Sequence, residues 1–192
     1  AHQTPPFAGQ GMCSGLRDAA NLGWKLAAVV KDDAQDTLLD SYQPERAPNL
    51  RATIDMAIMM GRTVCITSKW AAFLRDMKFK LARALGKLPD APPAYPPLST
   101  GMILAGSAGA GSYFPQFVTA DGLRLDQHLS ADHWLISLQD LHSGPLQPFA
   151  ADLAGWLNVQ NAAAVLVRPD RYVFGTGERD SLRSAWQAAV KP

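Results

Sequence analysis

The sequence predicts an α/β protein, α+β in overall arrangement, with a helical first half followed by a small α/β unit. Three observations carry that prediction. Apolar residues recur at helical spacing through most of residues 1–88. Five prolines then fall within nine residues, PDAPPAYPP at 89–97, a run that neither a helix nor a central strand accepts. Beyond it, short strand-like runs alternate with helical patterns. The predicted organisation is a helical segment over 1–88, a stiff proline-rich linker over 89–100 and a second unit over 101–192.

The chain opens AHQTPPFAGQGMCSG. Pro5 and Pro6 fix two φ angles and offer no N–H. Gly9 and Gly11 permit positive φ and close approach of a ligand to the backbone. From Met12 an apolar period runs through Leu16, Ala19, Leu22 or Gly23, Leu26 and Val30, which predicts an amphipathic helix over 12–31. Gly15 and Gly23 each cost about 1 kcal/mol inside a helix, so close packing or ligand approach explains them better than helicity.

Residues 36–48 read as a short helical or turn segment punctuated by Pro44 and Pro48. Residues 49–66 and 69–88 read as two more amphipathic helices. The second carries Lys69, Arg75, Lys78, Lys80, Arg83 and Lys87 against the single acid Asp76. Such a face is expected to be solvated, or to meet an acidic partner surface, rather than a membrane or nucleic acid.

After the prolines, GSYFPQF and VTADGLRL read as a hairpin turning at Asp121 and Gly122. Residues 133–141 form a strand candidate and 146–157 a helix. Residues 165–167 and 172–174 form two strands around an Arg168-Pro169-Asp170 turn. Residues 178–190 close the chain as a helix with Leu182, Ala185, Trp186 and Ala189 on one face.

Composition narrows the function classes. The 47% hydrophobic and 18% charged content fits a globular protein rather than a disordered one. A net charge of +1 argues against a dedicated nucleic-acid binder. The charge is divided unevenly, with 12 basic and 8 acidic residues before position 89 and 6 and 9 after it. Cys13 and Cys65 form neither a CxxC nor a metal spacing, and His128, His133 and His142 are scattered, so no metal site is expected. Two reduced thiols and no membrane-length apolar run point to the cytoplasm.

A glycine turn feeding a helix N-terminus is an anion site by construction, because the first N–H groups lack intrahelical partners and the macrodipole adds partial positive charge. Read that way alone, the Gly9 to Gly11 turn fits a phosphate- or nucleotide-binding protein, or a turn that merely starts a helix.

The spacing is more particular than that. His2, Pro5-Pro6, Gly9-Gln10-Gly11 and the helix bearing Asn21-Leu22, Trp24, Lys25 and Leu26 closely resemble the second flavin-binding motif of the class A FAD-dependent aromatic hydroxylases. Met12-Cys13 and the later Tyr42-Gln43-Pro44-Glu45-Arg46 look most like the 3-(3-hydroxyphenyl)propionate hydroxylases and their phenol-hydroxylating relatives. The stretch from Phe114-Pro115-Gln116 through Asp121-Gly122 and Leu125-Asp126 to Leu166-Val167-Arg168-Pro169-Asp170 resembles the thioredoxin-like domain that ends many members.

The resemblance implies a cofactor, FAD, reduced by NADPH or NADH, and a phenolic small-molecule substrate hydroxylated with dioxygen. It implies cofactor contacts at Pro6, Gly9, Gln10, Gly11, Met12 and Cys13. The backbone N–H groups of Gly11, Met12 and Cys13 would face the N1 and O2 edge of the flavin, and the Pro6 carbonyl would point toward the reacting region. No side chain is assigned as catalytic, and His2 is expected to hold the loop. No GxGxxG follows a strand, so the dinucleotide cradle is expected in a preceding portion, and the chain alone is expected to bind FAD weakly or not at all. Residues 101–192 lack cysteine, which removes disulfide exchange and leaves packing or homodimerisation as their role. A non-catalytic thioredoxin-like interaction module is the alternative reading.

Overall fold

The structure, a computed structural model, describes residues 2, 10–31, 34–87, 95–130 and 132–191. Pro6, Gly9 and most of the proline-rich stretch lie outside them. The order is α1 (Gln10–Lys31), α2 (Thr37–Asp40), α3 (Tyr42–Val64), α4 (Lys69–Ala84), α5 (Leu125–His128), β1 (Trp134–Ser137), α6 (Ala150–Val159), β2 (Ala164–Val167), β3 (Val173–Gly177) and α7 (Arg179–Val190). Strand, helix, strand, strand, helix over the second half follows the sequence-predicted order.

Three expectations change. Residues 42–64 form one helix rather than a turn and a separate helix. Pro44 lies in its first turn, where the missing N–H is tolerated, and Pro48 is carried inside it. The strand expected over 133–141 stops at Ser137, where a capping box turns the chain into a 3-10 helix over 138–142. Ser137 and Asp140 make that box, with Ser137 Oγ donating to Asp140 at 2.8 Å. The hairpin around Asp121-Gly122 shrinks to one bridge, Val118 with Arg124, its turn closed by Thr119 N–H donating to the Leu123 carbonyl at 2.9 Å.

The three strands form an antiparallel sheet in the order β1-β2-β3. Central β2 is buried throughout, and its period-2 alternation divides two cores. Val165 and Val167 face one, with Phe114, Leu125, Trp134, Ile136, Phe149, Leu153, Leu157 and Val173. Ala164 and Leu166 face the other, with Phe174, Leu182 and Trp186. That second core also takes in Ala28, Ala34 and Leu38 from the first half and Met102 from just past the prolines. Trp24 of α1 stacks on Trp186 of α7 with ring centroids 5.7 Å apart.

Residues after the prolines run along β3 without joining the sheet. Leu104 N–H donates to the Phe174 carbonyl at 2.6 Å, and Gly111 N–H to the Val173 carbonyl at 2.9 Å. Gly111 has φ +77°, and a Cβ there would collide with the Leu98 carbonyl oxygen, which only glycine avoids.

The largest departure is the face α1 turns inward. Its apolar stripe is solvent-facing, with Met12 76%, Leu16 63% and Val30 79% exposed, while Ser14, Asp18, Asn21 and Lys25 are buried. The predicted period exists, but a polar face packs against this chain. Helix α4 shows a related pattern: none of its residues is buried, and Trp70, Phe73, Leu74, Met77 and Leu81 are all more than half exposed.

Two glycines separate these effects. Gly111→Ala is expected to lower stability by several kcal/mol, about 1–3 from the backbone conformation alone and more from the collision. Gly155→Ala, mid-helix in α6 with open space around its Cβ, is expected to raise it by about 0.5–1 kcal/mol. Urea unfolding of both variants checks this; an unchanged midpoint for the first refutes the packing assigned to residues 98–111.

Candidate functional site

Residues Gln10, Gly11, Met12 and Cys13 form the first turn of α1. No acidic residue lies in that turn, so no side chain within it offsets the partial positive charge of the helix start. Met12 is solvent-facing, Gly11 and Cys13 are half-buried, and Cys13 is a free thiol. A helix start with no acid in its first turn favours an anion or an electron-rich ligand edge. Pro6 and Gly9 lie outside the described residues.

What holds this turn in place is a set of buried polar side chains on the opposite face of α1, in two groups. The first centres on Asp18, which is 2% exposed. Its Oδ2 accepts the His2 backbone N–H at 2.9 Å and lies 3.0 Å from His2 Nδ1. Its Oδ1 accepts Arg46 Nε at 2.8 Å. Burial pushes the Asp18 carboxyl up, but the bonds from Arg46 and His2 outweigh it and hold the group below its ordinary value. His2 is thus anchored to the helix that begins eight residues later.

The second group joins both halves of the chain. Arg168, fully buried, grips Asp170 with a two-pronged contact, Nε to Oδ1 at 3.0 Å and Nη2 to Oδ2 at 2.7 Å. The same Nη2 donates to Glu45 Oε2 at 2.7 Å, and Nη1 to the Met102 carbonyl at 2.9 Å. Asn21 Nδ2 donates to Glu45 at 2.6 Å and to Asp170 at 2.9 Å. Lys25 Nζ completes the cluster 3.0 Å from Glu45 Oε2. Two cations and two carboxylates leave it neutral.

Electrostatics follow from that arrangement. Burial raises the Glu45 carboxyl, yet Arg168 above all, then Lys25 and Asn21, bring it down to about 2. Burial drives Lys25 the other way, to about 8, because Glu45 is shared with Arg168, whose own charge opposes a second cation. Arg168 is held firmly charged, since Asp170 and Glu45 outweigh its desolvation. Gly101, at φ +93°, makes room: a Cβ there would overlap the Glu45 side chain, and the next residue, Met102, donates its N–H to Glu45 Oε1 at 2.7 Å.

Sequence reasoning missed Asp18, Glu45, Arg46 and Arg168 as structural determinants. Their partners lie up to 123 positions away, so no local period reveals them. The signal was indirect: Asp18 lies in the helix of the opening motif, and Tyr42-Gln43-Pro44-Glu45-Arg46 and Arg168-Pro169-Asp170 both belong to the stretches that carry the family resemblance. Among the described residues no cluster of His, Cys, Asp and Glu is arranged to hold a metal ion, and no helix is long and apolar enough to cross a membrane.

Residues 1–57 match the family model described as an FAD binding domain. Over its full length the chain is 34% identical to a probable NADH-specific resorcinol 4-hydroxylase of Rhodococcus jostii (strain RHA1), of which it covers 42%. Over 46% of its length it is 51% identical to a 3-(3-hydroxy-phenyl)propionate/3-hydroxycinnamic acid hydroxylase of Mycolicibacterium smegmatis, covering 15% of that protein. Among solved structures, the anhydrotetracycline hydroxylase OxyS from Streptomyces rimosus superposes with a TM-score of 0.60 at 26% identity, over 96% of this chain and 42% of that one. The flavin-dependent monooxygenase PieE, solved with FAD and substrate, shares the fold with a TM-score of 0.64 at 20% identity, over 99% of this chain and 46% of that one. The chain therefore spans about two fifths of the length of the resorcinol hydroxylase it matches end to end.

The Glu45 cluster gives a pH prediction. A carboxylate whose folded pKa lies near 2 against an unfolded 4.5 contributes stability that is complete above pH 4.5 and lost as pH falls toward 2. That loss amounts to about 3 kcal/mol, each tenfold difference in proton affinity being worth about 1.4 kcal/mol. Glu45→Gln is expected to be less stable than the parent by several kcal/mol near neutrality, and the gap is expected to close in acid. Urea titrations from pH 6 to about pH 3 read it; a constant gap across that range refutes the assignment.

Proposed function

We propose that this chain, which is related to the class A FAD-dependent aromatic hydroxylases, supplies one wall of a flavin site and the structural unit that supports that wall. The observation that carries the reading is the first turn of α1, Gln10 to Cys13, which holds no acidic residue and lies inside the span that matches an FAD binding domain. In this reading the cofactor contacts are Pro6, Gly9, Gln10, Gly11, Met12 and Cys13, with the Pro6 carbonyl beside the reacting region.

FAD, when bound, carries electrons from NADH or NADPH to dioxygen, and the protein orients it and excludes water. This chain's part is electrostatic and positional. The α1 N-terminus favours negative charge on the flavin's pyrimidine edge, and it does so without reorganising during the reaction. Met12 and Leu16 add apolar surface on the open side of the helix.

The substrate class that best fits the relatives is a phenol of the hydroxyphenylpropionate or resorcinol type, because relatives of both kinds match this chain. The proposed organisation keeps a hydroxylase segment over 1–88, a linker over 89–100 and a thioredoxin-like unit over 101–192. The exposed apolar faces of α1 and α4 are where this chain meets the remainder of the enzyme, the part that holds the rest of the FAD. The reading places the protein in the cytoplasm, with its two thiols reduced.

The test uses the chain and the product of its complete coding region. The 192-residue chain, titrated with FAD, is expected to show affinity weaker than micromolar. The complete product is expected to purify yellow and to oxidise NADH or NADPH with conversion of a hydroxyphenylpropionate or resorcinol to a product bearing one more hydroxyl. A complete product without flavin defeats the proposal, and tight FAD binding by the chain alone defeats the shared-site part of it.

A further inference from the structure

The two buried polar groups under α1 are covalently joined. Glu45 belongs to one and Arg46 to the other, and they are consecutive residues of α3. A chain of short contacts therefore runs from the β2–β3 turn to His2, eight residues before α1. Asp170 meets Arg168, Arg168 meets Glu45, the neighbouring Arg46 meets Asp18, and Asp18 holds His2. No contact in it exceeds 3.0 Å, and every residue in it except His2 is at least 95% buried. Asn21 ties the helix to the same cluster directly, through Glu45 and Asp170.

From these contacts we infer that Arg168, in the cysteine-free α/β unit, is a positioning residue for the flavin wall. It acts through Glu45 and Asn21 on the axis of α1, and through the Glu45-Arg46 dipeptide on Asp18 and His2. The inference rests on the flavin reading above. It gives the α/β unit a role in the reaction beyond packing: the unit sets where the first-turn N–H groups point. Arg168 suits the task. Its guanidinium is planar and charged, and it spans two carboxylates and a carbonyl from three separate segments, which a lysine cannot do in one geometry. Its backbone is fixed as well, since Arg168 N–H donates to the Tyr172 carbonyl at 2.8 Å across the turn.

The test compares Arg168→Lys, the double variant Arg168→Met with Asp170→Asn, and Arg179→Met. The double variant removes one charge of each sign and leaves the Lys25–Glu45 pair neutral, so it folds where Arg168→Met alone would strand two buried carboxylates. Arg179→Met breaks an ion pair with Asp140 at 2.8 Å in the same unit but outside the relay, and it controls for lost stability. Each is made in the complete, flavin-bearing protein.

Both Arg168 substitutions are expected to retain flavin, shift its reduction potential and visible absorbance, and lower kcat about ten- to a hundredfold with a much smaller change in KM. Lysine is expected to retain more activity than the double variant. Arg179→Met is expected to change none of these. In the 192-residue chain, both Arg168 substitutions are expected to move the His2 ring nitrogen resonances, and Arg179→Met to leave them in place. This second readout keeps the inference open to refutation where a flavin-loaded variant fails to fold.

Unchanged potential, absorbance and kcat in folded Arg168 variants overturn the inference, as do unmoved His2 resonances. Changes matched by Arg179→Met overturn it too, since they report stability alone. A parent protein without flavin overturns the flavin reading itself, and the parent control reports that separately.

Discussion

The buried pairing of Glu45 with Arg168 is the constraint on which the rest of the structure depends. Two cations and two carboxylates taken out of water cost more than their mutual attraction returns unless nearly every lone pair and proton finds a partner. Most do here: Asp170 takes both prongs of the guanidinium, the Met102 carbonyl takes a third bond, and the Met102 N–H and Asn21 bond Glu45, while Lys25 Nζ is held by its charge 3.0 Å from Glu45 and Asn21 Oδ1 has no hydrogen-bond partner among the described residues. Such a cluster contributes little net stability over a well-packed apolar one. Its value is specificity, because a different docking of α1, α3 and the β2–β3 turn leaves buried charges unpaired. Slide α1 by one residue and Asn21 and Lys25 leave the cluster together, stranding buried charge.

That requirement explains why α1 presents its polar face to its own chain. The helical period through Met12, Leu16 and Val30 is visible in the sequence, but a period states only that a helix has two faces. It does not state which face this chain covers. The inward face is chosen by Glu45 and Asp170, 24 and 149 positions from Asn21, which no window of residues contains. Local grammar does better where the partner is also local. Short apolar runs at 165–167 and 172–174 place two strands whose side chains divide between two cores, and the proline run marks the break in period. It does worse where a cap competes with a pattern: Ser137 and Asp140 end a strand that hydrophobicity alone carries to 141. The candidate site is legible in part. The helix start is found two residues earlier than expected, with Gln10 and Gly11 inside α1 rather than in the preceding turn, whereas the residues that hold that start in place, Asp18, Arg46 and Arg168, carry no functional signal of their own.

The chain has two kinds of surface contact, and they differ in physics. Between its own halves the junction is polar at its centre and aromatic at its edge, where Trp24 stacks on Trp186 with the Arg168 guanidinium 5.4 Å from the Trp24 ring. Polar contacts of this kind fix orientation because their geometry is directional. The outward faces of α1 and α4 are apolar, and apolar contacts tolerate sliding and repacking. Helix α4 adds basic side chains, Lys69, Arg75, Lys78, Lys80 and Arg83, against Asp76 as its one acid.

In the proposed flavin site these two kinds of contact divide the work between them. Apolar faces bring large pieces together with affinity but little angular precision. A helix N-terminus stabilises a developing anion only if its N–H groups point at the right atoms, and the field falls off within one turn. Precision of that order has to come from directional bonds on the side of the helix away from the cofactor, where they neither compete for the donors nor occupy the ligand's space. The face of α1 that carries Asp18, Asn21 and Lys25 meets that condition, and among the described residues the body that reaches all three is the α/β unit together with α3. The α/β unit contains no cysteine, and so no dithiol for disulfide exchange. What it has is a tight β-turn bearing Arg168 and Asp170 on a buried central strand, a stiff place in the chain from which to aim a helix.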